Sequence, residues 1–342
     1  MNIVVLAGGI STERDVSLCS GRKVYEALKR LGHNAILLDV FLGYSGSTDE
    51  IFEIDKDWAA EVAPIAFDAP DIEAVKASRK GNPNVLFGEN VLTICDSADI
   101  VFMALHGDCG ENGKIQATFD LFGIKYTGTD ALSSALAMDK AVTKNIFVTN
   151  NVLTPRSILI KEKNYDNKLG YPCVVKVNAG GSSVGVYIVN NEAEYKEAVD
   201  NAFLYDEKII IEEYIKGREF TDCVIEGEAL PIVEIVPKSG FYDYKNKYQA
   251  GSTIETCPAD IDKELEEKIK SSARAAYEAL GIRTYARMDF IVDEDNNVYC
   301  LEANTLPGMT PTSLVPQEAA AIGKSFDQLC EWIIDISMKK YQ

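Results

Sequence analysis

One segment constrains the fold more than any other. Arg287-Met288-Asp289-Phe290-Ile291-Val292 is followed, after five residues, by Val298-Tyr299-Cys300-Leu301-Glu302-Ala303-Asn304. The intervening Asp293-Glu294-Asp295-Asn296-Asn297 has turn composition, so the two runs predict a β-hairpin. Centring it between Asp295 and Asn296 places Asp289 opposite Glu302, with Cβ atoms ~5 Å apart. Side chains alternate along a strand, so Arg287 and Asn304 fall on the same face. Met288, Phe290, Leu301 and Ala303 then form an apolar opposite face. Two carboxylates this close repel unless something positive lies between them. Asp, Glu and Asn are also an oxygen-only donor set suited to Mg²⁺, a cation shared with phosphate groups. The other reading, a solvated outer face of an edge hairpin, predicts the same apolar side and stays open.

The chain's beginning is of another kind. Residues 3–7 are an apolar strand running into Gly8-Gly9. Val24, Ala27, Leu28 and Leu31 then recur at helical spacing, Gly32 stops the helix, and residues 35–40 form a second strand. Strand, helix, strand at this spacing predicts a parallel α/β unit. Residues 43–95 read as an irregular, acid-rich elaboration, and 100–105 as a buried strand ending at His106-Gly107. Loops at the carboxyl ends of parallel strands bind ligands, which makes 8–13 and 106–113 candidate site walls. Beyond a turn-like stretch at 125–135, a helix is expected over 139–149. Strands follow at 157–161, 173–177 and 186–189, a helix at 192–203 and a strand at 208–212. A hairpin pairs 219–226 with 229–236 over Gly227-Glu228, and 237–253 reads as a polar loop. Helices at 260–280 and 325–339 flank the strands 284–292 and 297–303. The division expected is 1–130, 131–212 and 213–342.

Composition excludes several classes. There are 53 acidic and 34 basic residues, a net charge of −19, so nucleic acid is not an expected partner. No apolar run approaches the roughly 18 residues of a membrane span, and the N-terminus reads as a strand rather than an export signal. Eight cysteines are scattered without a CxxC pair; reduced thiols and a cytoplasmic protein are expected.

Other constellations are individually weak. Lys176 ends an apolar strand before Asn178-Ala179-Gly180-Gly181-Ser182-Ser183, a small-residue loop able to admit phosphate, or a plain hairpin loop. It is not a GxxxxGK[ST] loop. Ile209-Ile210-Ile211-Glu212-Glu213-Tyr214 is a strand ending in acids, either a linker or an adenine and ribose contact. The loop from Phe241 to Tyr248, with Lys245 and Lys247, is a lid over an anion or an ordinary surface loop. Residues 304–314, stiffened by Pro307 and Pro311, emerge beside the candidate metal ligands. His106 is a site residue or a structural one; His33 is expected to be exposed.

Their order carries more than any one of them. Gly8-Gly9 with Ser11 to Ser17, Leu105-His106-Gly107 with Gly110-Glu111-Asn112-Gly113, and Met138-Asp139-Lys140 resemble D-alanine–D-alanine ligases. So do Gly181-Ser182-Ser183-Val184-Gly185, Phe241 to Tyr248, Arg287-Met288-Asp289, and Leu301-Glu302-Ala303-Asn304 through Thr310. The resemblance spans nearly the whole chain. It implies an α/β fold: an N-terminal parallel-sheet domain with central and C-terminal ATP-grasp domains. It implies ATP-dependent joining of two D-alanines through an acyl phosphate, for peptidoglycan precursor synthesis. It assigns Lys140, Lys176, Glu212, Tyr214, Glu219 and Lys247 to the nucleotide. Asp289, Glu302 and Asn304 would hold two Mg²⁺ ions, with Mn²⁺ as a substitute. Glu13 would take the first D-alanine's ammonium and, with Ser182 and Tyr248, form a hydrogen-bonded triad. Arg287 and the Gly308 N–H would meet the oxyanion; Val16, His106, Ser313 and Leu314 would contact substrate. A homodimer is a family expectation. The departures, Val177 after Lys176, Tyr214 and Gln116-Ala117, touch no proposed reacting group.

Three competing readings remain at this point. A D-serine-accepting ligase differs by one hydroxyl in the second substrate. A catalytically silent ATP-binding regulator would keep the pocket without turnover. A dinucleotide oxidoreductase is disfavoured by the missing GxGxxG spacing.

Overall fold

The computed structural model describes residues 1–63, 70–181, 185–238 and 252–342. The chain forms two compact units. One comprises Met1–Ser134, Arg283–Ala286 and Thr305–Gln342; the other comprises Ala135–Ile282 and Arg287–Asn304.

The first unit begins with β1 (Asn2–Ala7), α1 (Arg14–Arg30) and β2 (Asn34–Asp39). A 3₁₀ turn at Ile51–Glu53, α2 (Ile72–Ser78) and α3 (Val91–Asp96) follow, giving residues 43–95 some helix where none was expected. Then come β3 (Ile100–Met103), the short α4 (Asp108–Glu111) and α5 (Lys114–Phe122). The sheet order is β2-β1-β3, with both pairings parallel, as the strand-helix-strand pattern predicts. Ile3 to Ala7 have no exposed surface, because the sheet is covered on both faces. One face packs Val4, Leu6, Ile36 and Val101 against Ile115, Phe119 and Tyr126. Cutting Phe119 to alanine would cost about 3–5 kcal/mol. On the other face α1 comes close: a Cβ at Gly21 would lie 2.7 Å from that of Ala7, so only glycine fits there. Gly8 and Gly9, both at positive φ, turn the chain from β1 toward α1.

Helix α6 (Ala131–Met138) leads out of this unit. In the second unit α7 (Lys140–Thr149) starts at Asp139, whose side chain accepts from the Val142 N–H. β4 (Ser157–Ile160), β5 (Cys173–Val177), β6 (Val186–Val189) and β7 (Ile209–Glu213) form an antiparallel sheet in the order β4-β7-β5-β6. α8 (Glu192–Ala202) packs Tyr195, Ala198 and Val199 against Val175 and Ile211 of this sheet.

The third sheet has the path β11-β10-β8-β12-β13, with β9 beside β8. Its strands are β8 (Arg218–Ile225), β9 (Glu228–Ala229), β10 (Val233–Pro237), β11 (Thr253–Thr256), β12 (Tyr285–Val292) and β13 (Val298–Asn304). α9 (Lys263–Ala279) covers it with Leu265, Ile269, Ala273 and Ala276, one apolar stripe at helical spacing. The expected pairing of 219–226 with 229–236 forms, in two steps. The turn at Glu226 and Gly227 pairs β8 with the two-residue β9, and β10 then pairs with β8 separately. β11 was not anticipated, being short and half-exposed.

The chain returns to the first unit as α10 (Leu314–Ala321) and α11 (Phe326–Met338). α10 escapes the periodicity reading because Pro316 interrupts it. α11 begins at a capping box of Ser325 and Gln328. His33 is not simply exposed: its Nε2 lies 2.8 Å from Glu331 of α11. All eight cysteines are free thiols. Among the described residues no helix is long and apolar enough to cross a membrane.

Candidate active site

The second unit contains a cavity with about 180 Å³ of water-accessible space. β5 and β6 line it with Val174, Lys176, Val186 and Ile188. The end of β7 and its continuation add Glu212, Glu213, Tyr214 and Ile215. Lys140, Gly180, Gly181 and Glu219 close further sides, and the hairpin β12–β13 supplies Asp289, Ile291, Leu301 and Glu302. Apolar walls suit a planar base, and the cluster of lysines and carboxylates suits phosphates and their counter-cations.

The hairpin register places Asp289 opposite Glu302 and Arg287 opposite Asn304, as the turn composition predicts. Beyond that point the pairing shifts by one residue: Phe290 faces Cys300, leaving Leu301 as the extra residue of a bulge. Leu301 was expected on the opposite, apolar face. The bulge instead turns it into the same cavity as Glu302.

Asp289 is buried and well supported. Arg287 donates to it twice, Nε to Oδ1 and Nη2 to Oδ2, each at 2.9 Å. Thr221 Oγ1 donates at 2.7 Å and Asn304 Nδ2 at 3.0 Å. Lys140 Nζ lies 3.2 Å from Glu302 Oε2 and donates to the Gly180 carbonyl at 2.8 Å. The solvated-edge reading fails, since Asp289 is 8% exposed. Arg287 and Lys140 thus put positive charge beside the two opposed carboxylates.

Glu212, 2% exposed, meets two ammonium groups. Lys176 Nζ lies 2.9 Å from Oε2 and Lys144 Nζ 2.9 Å from Oε1. Burial pushes the Glu212 carboxyl up, but the two lysines outweigh it and hold it below its ordinary range. Burial lowers the Lys144 ammonium to about 8 despite Glu212, and the nearby Lys176 adds to the fall.

The first unit gathers a second group. Glu13 stands at the residue before α1 and is buried, as is Val16 one turn on. Ser11 Oγ donates to the His106 carbonyl at 2.8 Å. The His106 ring lies between Leu306 and Ser20: Nδ1 is 2.9 Å from the Leu306 carbonyl oxygen and Nε2 is 2.9 Å from Ser20 Oγ. The Met309 N–H donates to Ser20 Oγ at 3.3 Å. Glu111 accepts from the N–H groups of Gly107, at 3.0 Å, and Leu306, at 3.1 Å. The 306–309 backbone that carries Gly308 is thereby held at three points. Ser313 precedes α10 and its Oγ accepts from the Thr310 N–H at 3.1 Å; Leu314 beside it is buried.

The structure therefore places the predicted residues in two groups. Lys140, Lys176, Glu212, Tyr214, Glu219, Arg287, Asp289, Glu302 and Asn304 belong to the second unit. Glu13, Val16, His106, Gly308, Ser313 and Leu314 belong to the first. Ser182, Lys247 and Tyr248 lie outside the described residues. Sequence reasoning missed Lys144, Thr221 and Ser20, and marked Glu111 only as part of the 106–113 wall. Lys144 did leave a signal, standing four residues after Lys140 and hence on the same helix face.

Comparison with known proteins gives a consistent result. Residues 2–129 match the family model described as D-ala D-ala ligase N-terminus, and residues 139–335 match D-ala D-ala ligase C-terminus. A D-alanine–D-alanine ligase of Pediococcus pentosaceus is 45% identical over 350 residues, covering 100% of this chain and 99% of that protein. The structure of the D-alanine–D-alanine ligase from Bacillus anthracis complexed with ATP is similar at TM-score 0.76 and 32% identity, over 99% of this chain and 97% of that one. The D-Ala:D-Ser ligase VanG from Enterococcus faecalis is similar at TM-score 0.74 and 30% identity, over 98% and 99%. The parallel-sheet start and the two antiparallel sheets that follow agree with the ATP-grasp architecture of such ligases. Matched by both models and by relatives along its full length, this chain belongs to the D-alanine–D-alanine ligase family, enzymes that form a carbon–nitrogen bond.

Proposed function

We propose that this protein joins two molecules of D-alanine into D-alanyl-D-alanine at the expense of ATP, as a cytoplasmic homodimer supplying peptidoglycan precursors. The observation that carries the reading is the cavity in which Asp289 and Glu302 oppose each other beside Lys140, with Lys176 on the adjoining wall. The B. anthracis relative's complex with ATP supports assigning the cavity to the nucleotide. The division into 1–130, 131–212 and 213–342 belongs to the same proposal.

A carboxylate is a poor acyl donor to an amine. In the proposed reaction the first D-alanine's carboxylate oxygen attacks the γ-phosphorus of ATP, releasing ADP and leaving an acyl phosphate. The second D-alanine's amine, having lost its proton, attacks the acyl carbon. The tetrahedral intermediate collapses, the C–O bond to phosphate breaks, and the peptide bond remains. Lys140 and Lys176 would neutralise phosphate oxygens, and Glu212, Tyr214, Glu219 and Lys247 would hold the rest of the nucleotide. Glu13 would bind the first ammonium, in a triad with Ser182 and Tyr248. Val16, His106, Ser313 and Leu314 would seat the substrates. Arg287 and the Gly308 N–H would receive the oxyanion; the planar guanidinium can serve Asp289 through Nε and Nη2 while Nη1 carries two further N–H donors.

Asp289, Glu302 and Asn304 fit Mg²⁺. They are oxygen donors on one hairpin face, and a turn of the Asn304 amide would present its oxygen beside Asp289. When bound there, Mg²⁺ supplies positive charge to the transferring phosphoryl group.

The test is ADP release with ATP and Mg²⁺, comparing no amino acid, D-alanine, L-alanine, and D-alanine with D-serine or D-lactate. Turnover dependent on D-alanine, with the dipeptide found by mass, is expected. Silence with every D-amino acid despite ATP binding gives the regulator reading; preference for D-serine gives the mixed ligase.

A further inference from the structure

Lys144 has no place in the chemistry above, yet it is 3% exposed and makes three polar contacts. Its Nζ donates to Thr154 Oγ1 at 2.7 Å and to the Pro155 carbonyl at 3.1 Å, and lies 2.9 Å from Glu212 Oε1. Glu212 Oε2 is 2.9 Å from Lys176 Nζ. Glu212 and Lys176 line the cavity, whereas Lys144 is not among its lining side chains. One carboxylate thus stands between two ammonium groups, one facing the cavity and one behind it. A group of three with one surplus positive charge, withdrawn from water, is incomplete without an anion.

We propose that Lys144 is a positioning residue for nucleotide phosphate. By holding Glu212 from behind it leaves the charge of Lys176 to a phosphate oxygen. Were Lys144 neutral, Glu212 would answer Lys176 alone, and a phosphate would have to compete with a buried carboxylate for it. A side chain that merely filled space behind β7 would affect the base and the phosphates alike. The inference rests on the nucleotide reading of this cavity.

Charge balance gives the test. Binding of ADP and of adenosine to the full-length protein is measured at pH 7 by calorimetry, and the preference for ADP is the readout. Lys144→Met should lower that preference about tenfold or more, with adenosine affinity changed little. It leaves Glu212 paired with Lys176, so no lone charge is buried. Lys144→Met/Glu212→Gln restores the net charge of the group and should return the preference to within about threefold of the parent. Adenosine reports separately on what Glu212→Gln does to the base site. An unchanged preference in Lys144→Met, or a double variant no better than the single one, overturns the proposal. Should Lys144→Met not fold, the double variant alone decides: a tenfold loss of preference in it refutes the charge argument. A parent protein that binds neither ligand overturns the nucleotide reading and this proposal with it; a parent that binds ADP while the variants follow no charge order overturns this proposal alone.

Discussion

His106 Nδ1 lies 2.9 Å from the carbonyl oxygen of Leu306, and that contact decides where the ring carries its proton. A carbonyl only accepts, so Nδ1 donates; in the neutral ring Nε2 then accepts from the Ser20 hydroxyl. The Ser20 oxygen in turn accepts from the Met309 N–H. The chain of donors runs in one direction and ends on both sides of Gly308. His106→Ala should therefore lower kcat by about ten- to a hundredfold through misplacement of the 306–309 backbone, with ADP affinity unchanged. Steady-state kinetics beside calorimetry would check it, and an equal loss in both would point to general unfolding.

Glu111 ties the N–H groups of Gly107 and Leu306 together through its two oxygens. Glu111→Ala leaves both without that acceptor and should cost about 1–3 kcal/mol in urea unfolding. Glu111→Gln, which keeps one acceptor oxygen, should cost less. Equal stability of the two variants would mean that water replaces the carboxylate freely.

Arg287→Ala should reduce turnover by about a hundredfold or more, with Mg·ADP affinity within about threefold of the parent. Arg287→Lys should not rescue it, because an ammonium cannot make the two parallel bonds to Asp289 and still reach an oxyanion. Loss of nucleotide affinity instead would move this residue to a phosphate role.

The ammonium of Lys144 titrates near 8, lowered first by burial and then by Lys176, against the pull of Glu212 and the weaker one of Cys300. A bound phosphate favours the protonated form, so its affinity is full below pH 8 and falls as pH rises through it, by at most about tenfold per unit. ADP binding at pH 8 should accordingly take up a fraction of a proton. Calorimetry in two buffers of different ionisation enthalpy measures that uptake; identical apparent enthalpies would remove Lys144 from the binding equilibrium.

Much of this was legible in the chain, and the boundary has a physical cause. The opposition of Asp289 and Glu302 followed from turn composition and period two, both local properties. The parallel start followed from apolar periodicity around Gly8-Gly9. The roles of Ser20, and of Glu111 within the marked 106–113 segment, did not show, because their partners lie near residue 306, and a serine or an acid on a helix is unremarkable until the fold supplies the contact. β11 and α10 were missed for a different reason. Four half-exposed residues are too few to show a clear period, and Pro316 breaks the one that α10 would have shown.

The bulge at Leu301 bears on how little chain a binding wall requires. In a regular strand, side chains on one face are two residues apart, so an apolar contact and an ionic one on the same wall need a spacer between them. Here Leu301 and Glu302 are neighbours in the chain and share the cavity. Greasy and charged surface therefore meet within a single residue step of ~3.3 Å.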